Sequence, residues 1–304
     1  MAAFTFADFF CGIGGMRLGF ESIGGRCVYI MEYNQHALRT YRANFHDFSS
    51  IFDASKNLTI NTLPEFDVLL AGIPYRPYTL NDIVQVLQIK QPMAFLLENT
   101  KTFVTNNHGR IFLNTIDDLK KVGYNVFWKI LDSQIFVPQQ RERVLIVGFQ
   151  DTFDFTWPEL PNTRHTLSEI LHHEGDVLPE DCGKYTTMTG LALPKYTISN
   201  KGLELSEKKN FEGLYRVFTP NDISNNITNH YGSSSYRCLI YQGENKNPRR
   251  LTPRECARLM GFPDTFIIPV NDTKAYNILC SSVIVPMITW IARGMRDEIK
   301  KGFA

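Results

Sequence analysis

The chain has 304 residues, 43% hydrophobic and 21% charged, so it can bury a large core as one big domain or two smaller ones, and its composition excludes a disordered chain. Its 32 basic and 31 acidic side chains leave a net charge of +1. That balance gives no overall attraction to nucleic acid, so a nucleic-acid binder has to gather its cations on one face.

Taken in chain order, the first 150 residues alternate strand-like and helix-like runs. "TFADFF" reads as a strand, "GGMRLGFESIG" as a helix closed by glycine, and "RCVYIMEY" as the next strand. "NQHALRTYRANF" reads as a helix with Asn34 as N-cap, followed by the strand "FDVLLAG". The helix "LNDIVQVLQIK", the strand "PMAFLLENT", the helix "GRIFLNTIDDLKKVG" and the strands "NVFWKILDS" and "RVLIVGF" complete the series. This rhythm predicts an α/β fold with a largely parallel sheet and helices on both faces. From Asp151 to about Lys246 the chain is rich in Asn, Ser, Thr, Pro and Gly, as in a separate loop-rich domain or a large insertion. "TPRECARLMGF" restores a helix, and the amphipathic "SVIVPMITWIARGMRDEIKKGF" is expected to pack back on the first domain.

The six cysteines, Cys11, Cys27, Cys182, Cys238, Cys256 and Cys280, are scattered and form no CxxC pair. Zinc sites and disulfide frameworks are therefore not expected. The N-terminal "MAAFTFADFF" is short, is interrupted by Asp8 and has no basic leader, and no run reaches the roughly 18 apolar residues of a membrane span. The expectation is a reducing, intracellular setting, cytoplasmic or nucleoid-associated.

Several positions carry chemistry. Gly12, Gly14 and Gly15 stand at a strand-to-helix turn, where a ligand can approach the backbone. Glu32 ends the second strand, where a carboxylate can bind ribose hydroxyls, with Tyr33 beside it and Asp53 farther along. Together these describe a nucleoside-cofactor site; singly they read as a tight turn and solvated acids. Glu98 and Asn99 end another strand, where the carboxylate suits either a base ring nitrogen or a helix cap. Arg141 and Arg143 alternate at the entrance of a strand, next to Gln139, and are expected to face one way. Such a pair suits phosphate or base recognition as well as a solvated strand entrance. Arg254 and Arg258 share a helix face, as a phosphate-binding ridge or as a solvated face paired with local acids.

The order of these pieces resembles the bacterial-type DNA cytosine-5 methyltransferases over nearly the whole chain. The matching stretches are "FADFFCGIGG", "EYNQHA", "FDVLLAGIPYRPYT", "FLLENTKTF", "VPQQRERVLIVGF", "RRLTPRECARLMGFPD" and "AYNILCSSVIVP". The resemblance implies a class I S-adenosylmethionine-dependent methyltransferase (Rossmann-like) sheet over 1–155 and 272–304. A smaller target-recognition domain is implied over 156–271, with double-stranded DNA bound and the target cytosine flipped out. It further implies that Phe6 and Tyr33 flank the cofactor adenine, with Phe10, Gly12, Gly14, Gly15, Pro74, Ser281 and Val283 around the cofactor. Glu32 takes the ribose hydroxyls, and Asp53 with Ala54 the adenine edge. By the same resemblance Glu98 holds the N3 and amino edge of cytosine, Arg141 and Arg143 the target nucleotide, and Thr228 a phosphate, with Arg254 and Arg258 facing DNA.

The departures cluster at the chemistry. Where the family has a nucleophilic cysteine between Pro and Gln-Pro, this chain has Pro74, Tyr75, Arg76 and Pro77. Methyl transfer to C5 needs a soft nucleophile at C6, which a thiolate supplies and a tyrosine, with its pKa of about 10, does not. The mobile loop of about twenty residues that follows the family's catalytic turn has no counterpart, since Thr79 runs almost directly into a helix. The family's Phe-Gly-Asn-Ser-Val is replaced by Leu279, Cys280, Ser281, Ser282 and Val283, which is expected to weaken cofactor binding. Exocyclic amino-methylation is disfavoured because Gly72 offers no side-chain oxygen. The leading expectation is a homologue without stand-alone activity that binds cofactor or DNA, or assists an active methyltransferase partner. An active enzyme, a tRNA-directed relative and a purely structural protein are the rivals.

Overall fold

The structure, a computed structural model, describes residues 4–46, 51–53, 60–73, 77–150, 155–208, 215–231 and 236–301. The chain forms two compact units: Met1–Asp132, Glu142–Leu160 and Val285–Ala304 make the first, and Ser133–Arg141 with Pro161–Ile284 make the second.

The first unit is built on β1 (Phe4–Phe9), α1 (Gly15–Glu21), β2 (Gly25–Glu32), α2 (Gln35–Asn44), β3 (Ile51–Asp53), β4 (Val68–Gly72), α3 (Pro77–Lys90) and β5 (Ala94–Thr100). It continues through α4 (Thr102–Thr105), α5 (Arg110–Lys121), β6 (Tyr124–Asp132) and β7 (Glu142–Gln150). The seven strands are ordered β3-β2-β1-β4-β5-β7-β6. The first five run parallel, and β7 lies antiparallel to both β5 and β6. The central strands are apolar on both faces, as a sheet covered by helices on each side requires. On one face Ala7, Phe9, Leu69, Ala71, Phe95 and Leu97 pack with Ile83 and Leu87 of α3 and Phe112 and Ile116 of α5. The alternating positions of β1 face the other way, where Phe6 meets Phe20 of α1. There α1 also meets α9 (Val285–Lys301) so closely that a Cβ at Gly19 would lie 2.5 Å from Ile288 Cγ2. Asn34 caps α2 as expected, its Oδ1 accepting from the His36 and Ala37 amides.

The second unit contains α6 (Asn200–Lys208), the three-stranded sheet of β8 (Tyr215–Phe218), β9 (Tyr236–Ile240) and β10 (Arg249–Arg250), α7 (Pro253–Leu259) and α8 (Asp272–Cys280). The expected cuts fell at 155/156 and 271/272, whereas the units part at 160/161 and 284/285. α8 packs within the second unit because its Tyr276 hydroxyl donates to Leu251 O and its Asp272 accepts from the Tyr196 hydroxyl. Among the described residues, the one helical stretch apolar enough to cross a membrane, Asp272–Lys300, has 67% of its most apolar window buried, as core helices do.

Candidate active site

The strand order reverses between β1 and β4, the point at which open α/β sheets bind ligands outside the strands' carboxyl ends. The glycine turn leaves β1 there. Phe10 and Gly12 take left-handed φ values of 55° and 56°, Gly14 takes 90°, and the Gly14 amide closes the turn on Cys11 O at 2.9 Å. The two glycines serve different ends. A Cβ on Gly14 would strike the Phe45 ring at 2.4 Å, so close packing requires glycine, while among the described residues nothing lies within 4 Å of a Cβ on Gly12. Gly12 therefore leaves open space against the backbone. Glu32, buried at the end of β2, accepts from the Gly12, Tyr33 and Asn34 amides, each at 2.8 Å. It fixes the turn and the start of α2 together. Tyr33 is 47% exposed beside it, and Asp53 stands in register with Glu32 on β3. Ala54, Pro74 and Tyr75 lie outside the described residues.

Two corrections belong to this region. Phe6, expected against an adenine, is fully buried with its ring 6.0 Å from that of Phe20, because the alternation of β1 sends it into the interior. Phe10, half-buried at the strand end, is the aromatic residue at the turn. The second concerns Asp8, which sequence reasoning passed over. Its carboxylate is fully buried, and neither oxygen has a hydrogen-bond partner among the described residues. Burial pushes its pKa up to about 8 against the pull of the Arg17 guanidinium, and the Glu32 carboxylate adds to the rise. A lone acid inside the apolar run "FTFADFF" was the signal that could have found it. Arg17 is itself buried, donating to Glu21 and the Tyr41 hydroxyl and lying 4.3 Å from the Phe45 ring centroid.

At the ends of β5 and β7, Glu98 Oε1 and Arg143 Nε meet at 2.8 Å, with side chains only 12% and 10% exposed. A Cβ at Gly72 would lie 3.9 Å from Phe10 O and 4.0 Å from Glu98 Oε2, so the turn, the end of β4 and the carboxylate are neighbours. A strand-end acid is thus oriented by a guanidinium, and the structure brings Glu98 and Arg143 together as a unit.

Arg141 has partners of its own. It belongs to the Ser133–Arg141 segment of the second unit, where its guanidinium donates to Asn226 Oδ1 at 2.9 Å, Ile227 O at 3.2 Å and Ser282 O at 2.9 Å. Gln139, fully buried, accepts from the Ile227 amide at 3.0 Å. Thr228 follows half-buried, its carbonyl accepting from the Tyr231 amide.

Arg254 and Arg258 are not a phosphate-binding ridge. Arg254 makes a bidentate pair with Asp181, the two side chains 3% and 1% exposed, and also donates to Phe266 O. Arg258 makes a bidentate pair with Asp264 and reaches Asp176. Both guanidinia are occupied inside the unit because acids more than seventy residues away in sequence, or just past α7, fold against them. Arg249 is held likewise by the Glu255 carboxylate of the α7 capping box. Although burial works the other way, that guanidinium holds the Glu255 carboxyl below its usual range. Ser281 is exposed, its hydroxyl donating to Asn277 O at 2.7 Å, and Val283 is half-buried. Cys280, expected near a cofactor, is 2% exposed and sits in the second unit's core, where it interacts with Cys256. Among the described residues no group of three or more His, Cys, Asp or Glu side chains is placed to hold a metal.

The fold is that of the class I, Rossmann-like methyltransferases. The chain superimposes on a Spodoptera frugiperda DNMT2 mutant with a TM-score of 0.78 at 17% identity, covering 96% of this chain and 99% of that one. It superimposes on the Entamoeba histolytica methyltransferase EhMeth with a TM-score of 0.76 at 18% identity, covering 97% and 98%. The chain belongs to the C-5 cytosine-specific DNA methylase family, which it matches over residues 4–79 and 75–297. It is 35% identical to the type II methyltransferase M.DsaV of Dactylococcopsis salina, over 97% of this chain and 86% of that protein. It is 32% identical to the DNA-cytosine methyltransferase of Escherichia coli K12, over 99% and 79%.

Proposed function

We propose that this chain is a DNA cytosine-5 methyltransferase relative that keeps the means to bind S-adenosylmethionine and DNA and has lost the nucleophilic step. The observation that carries the reading is Tyr75, standing where the family places its thiol. A phenol of pKa about 10 is a protonated, hard oxygen at neutral pH and does not add to C6 of cytosine. The spacing of the flanking elements agrees: β4 ends at Gly72 and α3 begins at Pro77, which leaves no room for a loop of about twenty residues to close over a flipped base.

The turn suits the cofactor. S-adenosylmethionine carries a positively charged sulfonium and an ammonium, and it supplies the electrophilic methyl group when bound. Among the described residues, the open space at Gly12 admits a ligand against the backbone. Tyr33 offers an exposed ring to a base, and Glu32 lies beside it. Glu98, oriented by Arg143, is suited to hydrogen-bond the N3 and amino edge of cytosine. In this reading the chain works by binding, alone or beside an active methyltransferase inside the cell. Stand-alone activity is the second reading, favoured by 35% identity to a type II methyltransferase along nearly the whole chain.

Methyl transfer from labelled S-adenosylmethionine to duplex DNA and, separately, to tRNA tests the reading, with Tyr75→Cys alongside. No turnover by the parent chain together with measurable cofactor binding supports it. Turnover by the parent overturns it, and tRNA turnover alone redirects it to RNA.

A further inference from the structure

We propose that Arg141 is a positioning residue that ties the segment carrying Thr228 to the segment carrying Ser281 and Val283, so that the two respond as one body. The proposal rests on the preceding reading only where it names the ligands those segments meet. Three strands of chain converge on one guanidinium. Its own segment, Ser133–Arg141, is fixed by the Ser133 hydroxyl donating to Gln139 O at 2.6 Å and the Ser133 amide donating to Arg141 O at 3.1 Å. The second strand runs through Ser224 to Ile227. Gln140 donates to Ser224 O, Ser224 donates to Pro138 O, and the Ile227 amide donates to Gln139. The third is the turn after α8, where Ser282 O takes the other arm of Arg141 at 2.9 Å.

The geometry separates this role from phosphate binding. Arg141 is 4% exposed and its two terminal nitrogens are committed to three acceptors from two distant segments. A planar guanidinium can hold acceptors in several directions at once, whereas an ammonium is a point charge on a flexible stem. Thr228 lies one residue past the Ile227 carbonyl that Arg141 holds, and Ser281 one residue before the Ser282 carbonyl. A ligand that moves either segment therefore meets the other through the same side chain.

Amide hydrogen exchange on the purified full chain tests this. In Arg141→Lys, which keeps the charge, the Tyr231 and Ser282 amides are expected to exchange about tenfold or more faster, while the Cys256 amide of α7 and the Met260 amide at its C-cap hold their rates. Unchanged exchange at Tyr231 and Ser282 overturns the proposal. If α7 loosens equally, Asn226→Ala replaces the lysine variant because it removes one acceptor and no charge. Faster exchange at Ser282, on the far side of the guanidinium, then supports the tie, and an unchanged Ser282 overturns it. A duplex DNA titration across salt concentrations adds a second arm. A positioning residue leaves the slope of log affinity against log salt unchanged in Arg141→Ala, and a phosphate contact lowers it by about 0.9. The lower slope overturns the proposal. Absence of DNA binding by the parent chain overturns the functional reading above and leaves the exchange result to decide this one.

Discussion

The Glu98 carboxylate and the Arg143 guanidinium meet at 2.8 Å between antiparallel neighbours, β5 and β7, with little solvent around either. Such a pair is most visible when half of it is removed, because the remaining charge is buried without compensation. Arg143→Met is expected to cost about 3–5 kcal/mol of stability in urea unfolding. Adding Glu98→Gln to that variant should restore part of the loss, since no net charge is then left inside. Single and double variants of equal stability would show that the pair is not held as described.

Asp8 gives the protein a pH dependence of definite sign. Burial raises its folded pKa from 3.8 to about 8, so between those values the folded chain retains a proton that the unfolded chain has released. Stability from this group is therefore present below the unfolded value and declines as pH rises, by up to about 1.4 kcal/mol per pH unit, levelling off above the folded value. Asp8→Asn should gain on the parent steadily from pH 4 to pH 8, in urea midpoints measured in parallel. A constant difference across that range would contradict the assignment.

Arg254 should behave as an interior residue. Arg254→Ala leaves Asp181 buried and unpaired, and a loss of about 3–5 kcal/mol is expected. The salt dependence of DNA binding, measured where the variant is still folded, should match the parent. A shallower slope would return Arg254 to the DNA face.

Cofactor binding should depend on Glu32 twice over. Glu32→Ala removes the acceptor of three amides that set the glycine turn, together with a carboxylate suited to ribose hydroxyls. Calorimetry with S-adenosylmethionine is expected to show binding by the parent and at least about tenfold weaker binding by the variant. No heat from the parent at millimolar cofactor would favour a protein that uses the fold only as a scaffold.

DNA containing 5-fluorocytosine should form no denaturation-resistant adduct with the parent chain. The trap needs a nucleophile at C6, which in the proposed reading Tyr75 does not provide. An adduct that disappears on changing Tyr75 would show that the tyrosine reacts after all.

The sheet was legible because its strands are short apolar runs bounded by turn residues and its helices are periodic; even the Asn34 cap could be read directly. The antiparallel pairing of β7 was not, since a buried strand reads the same in either direction. Glu98 and Arg143 were both named from their strand positions, but their pairing depends on which strands are neighbours. Arg141 and Arg143 sit two apart in a strand-like run, but the acceptors that Arg141 holds, Asn226, Ile227 and Ser282, lie too far along the chain for any local pattern to reveal. Arg254 and Arg258 looked free because Asp181 and Asp176 lie more than seventy residues away, beyond any local pattern. Asp8 was hidden by its type, since an acid in an apolar strand reads as an interruption until its burial is known.

The chain passes between its two units four times, and the last passage delivers α9 back to α1. On a ribosome that order has a consequence. The amino-terminal sheet and α1 emerge first, but α1 lacks the helix that packs against it until nearly three hundred residues have been made. The surface at Gly19, against which Ile288 of α9 packs, must wait uncovered through the synthesis of the whole second unit. Nascent chains should therefore lean on chaperones for longer than the compactness of the finished fold suggests, and premature termination before residue 285 should yield aggregates rather than a soluble half.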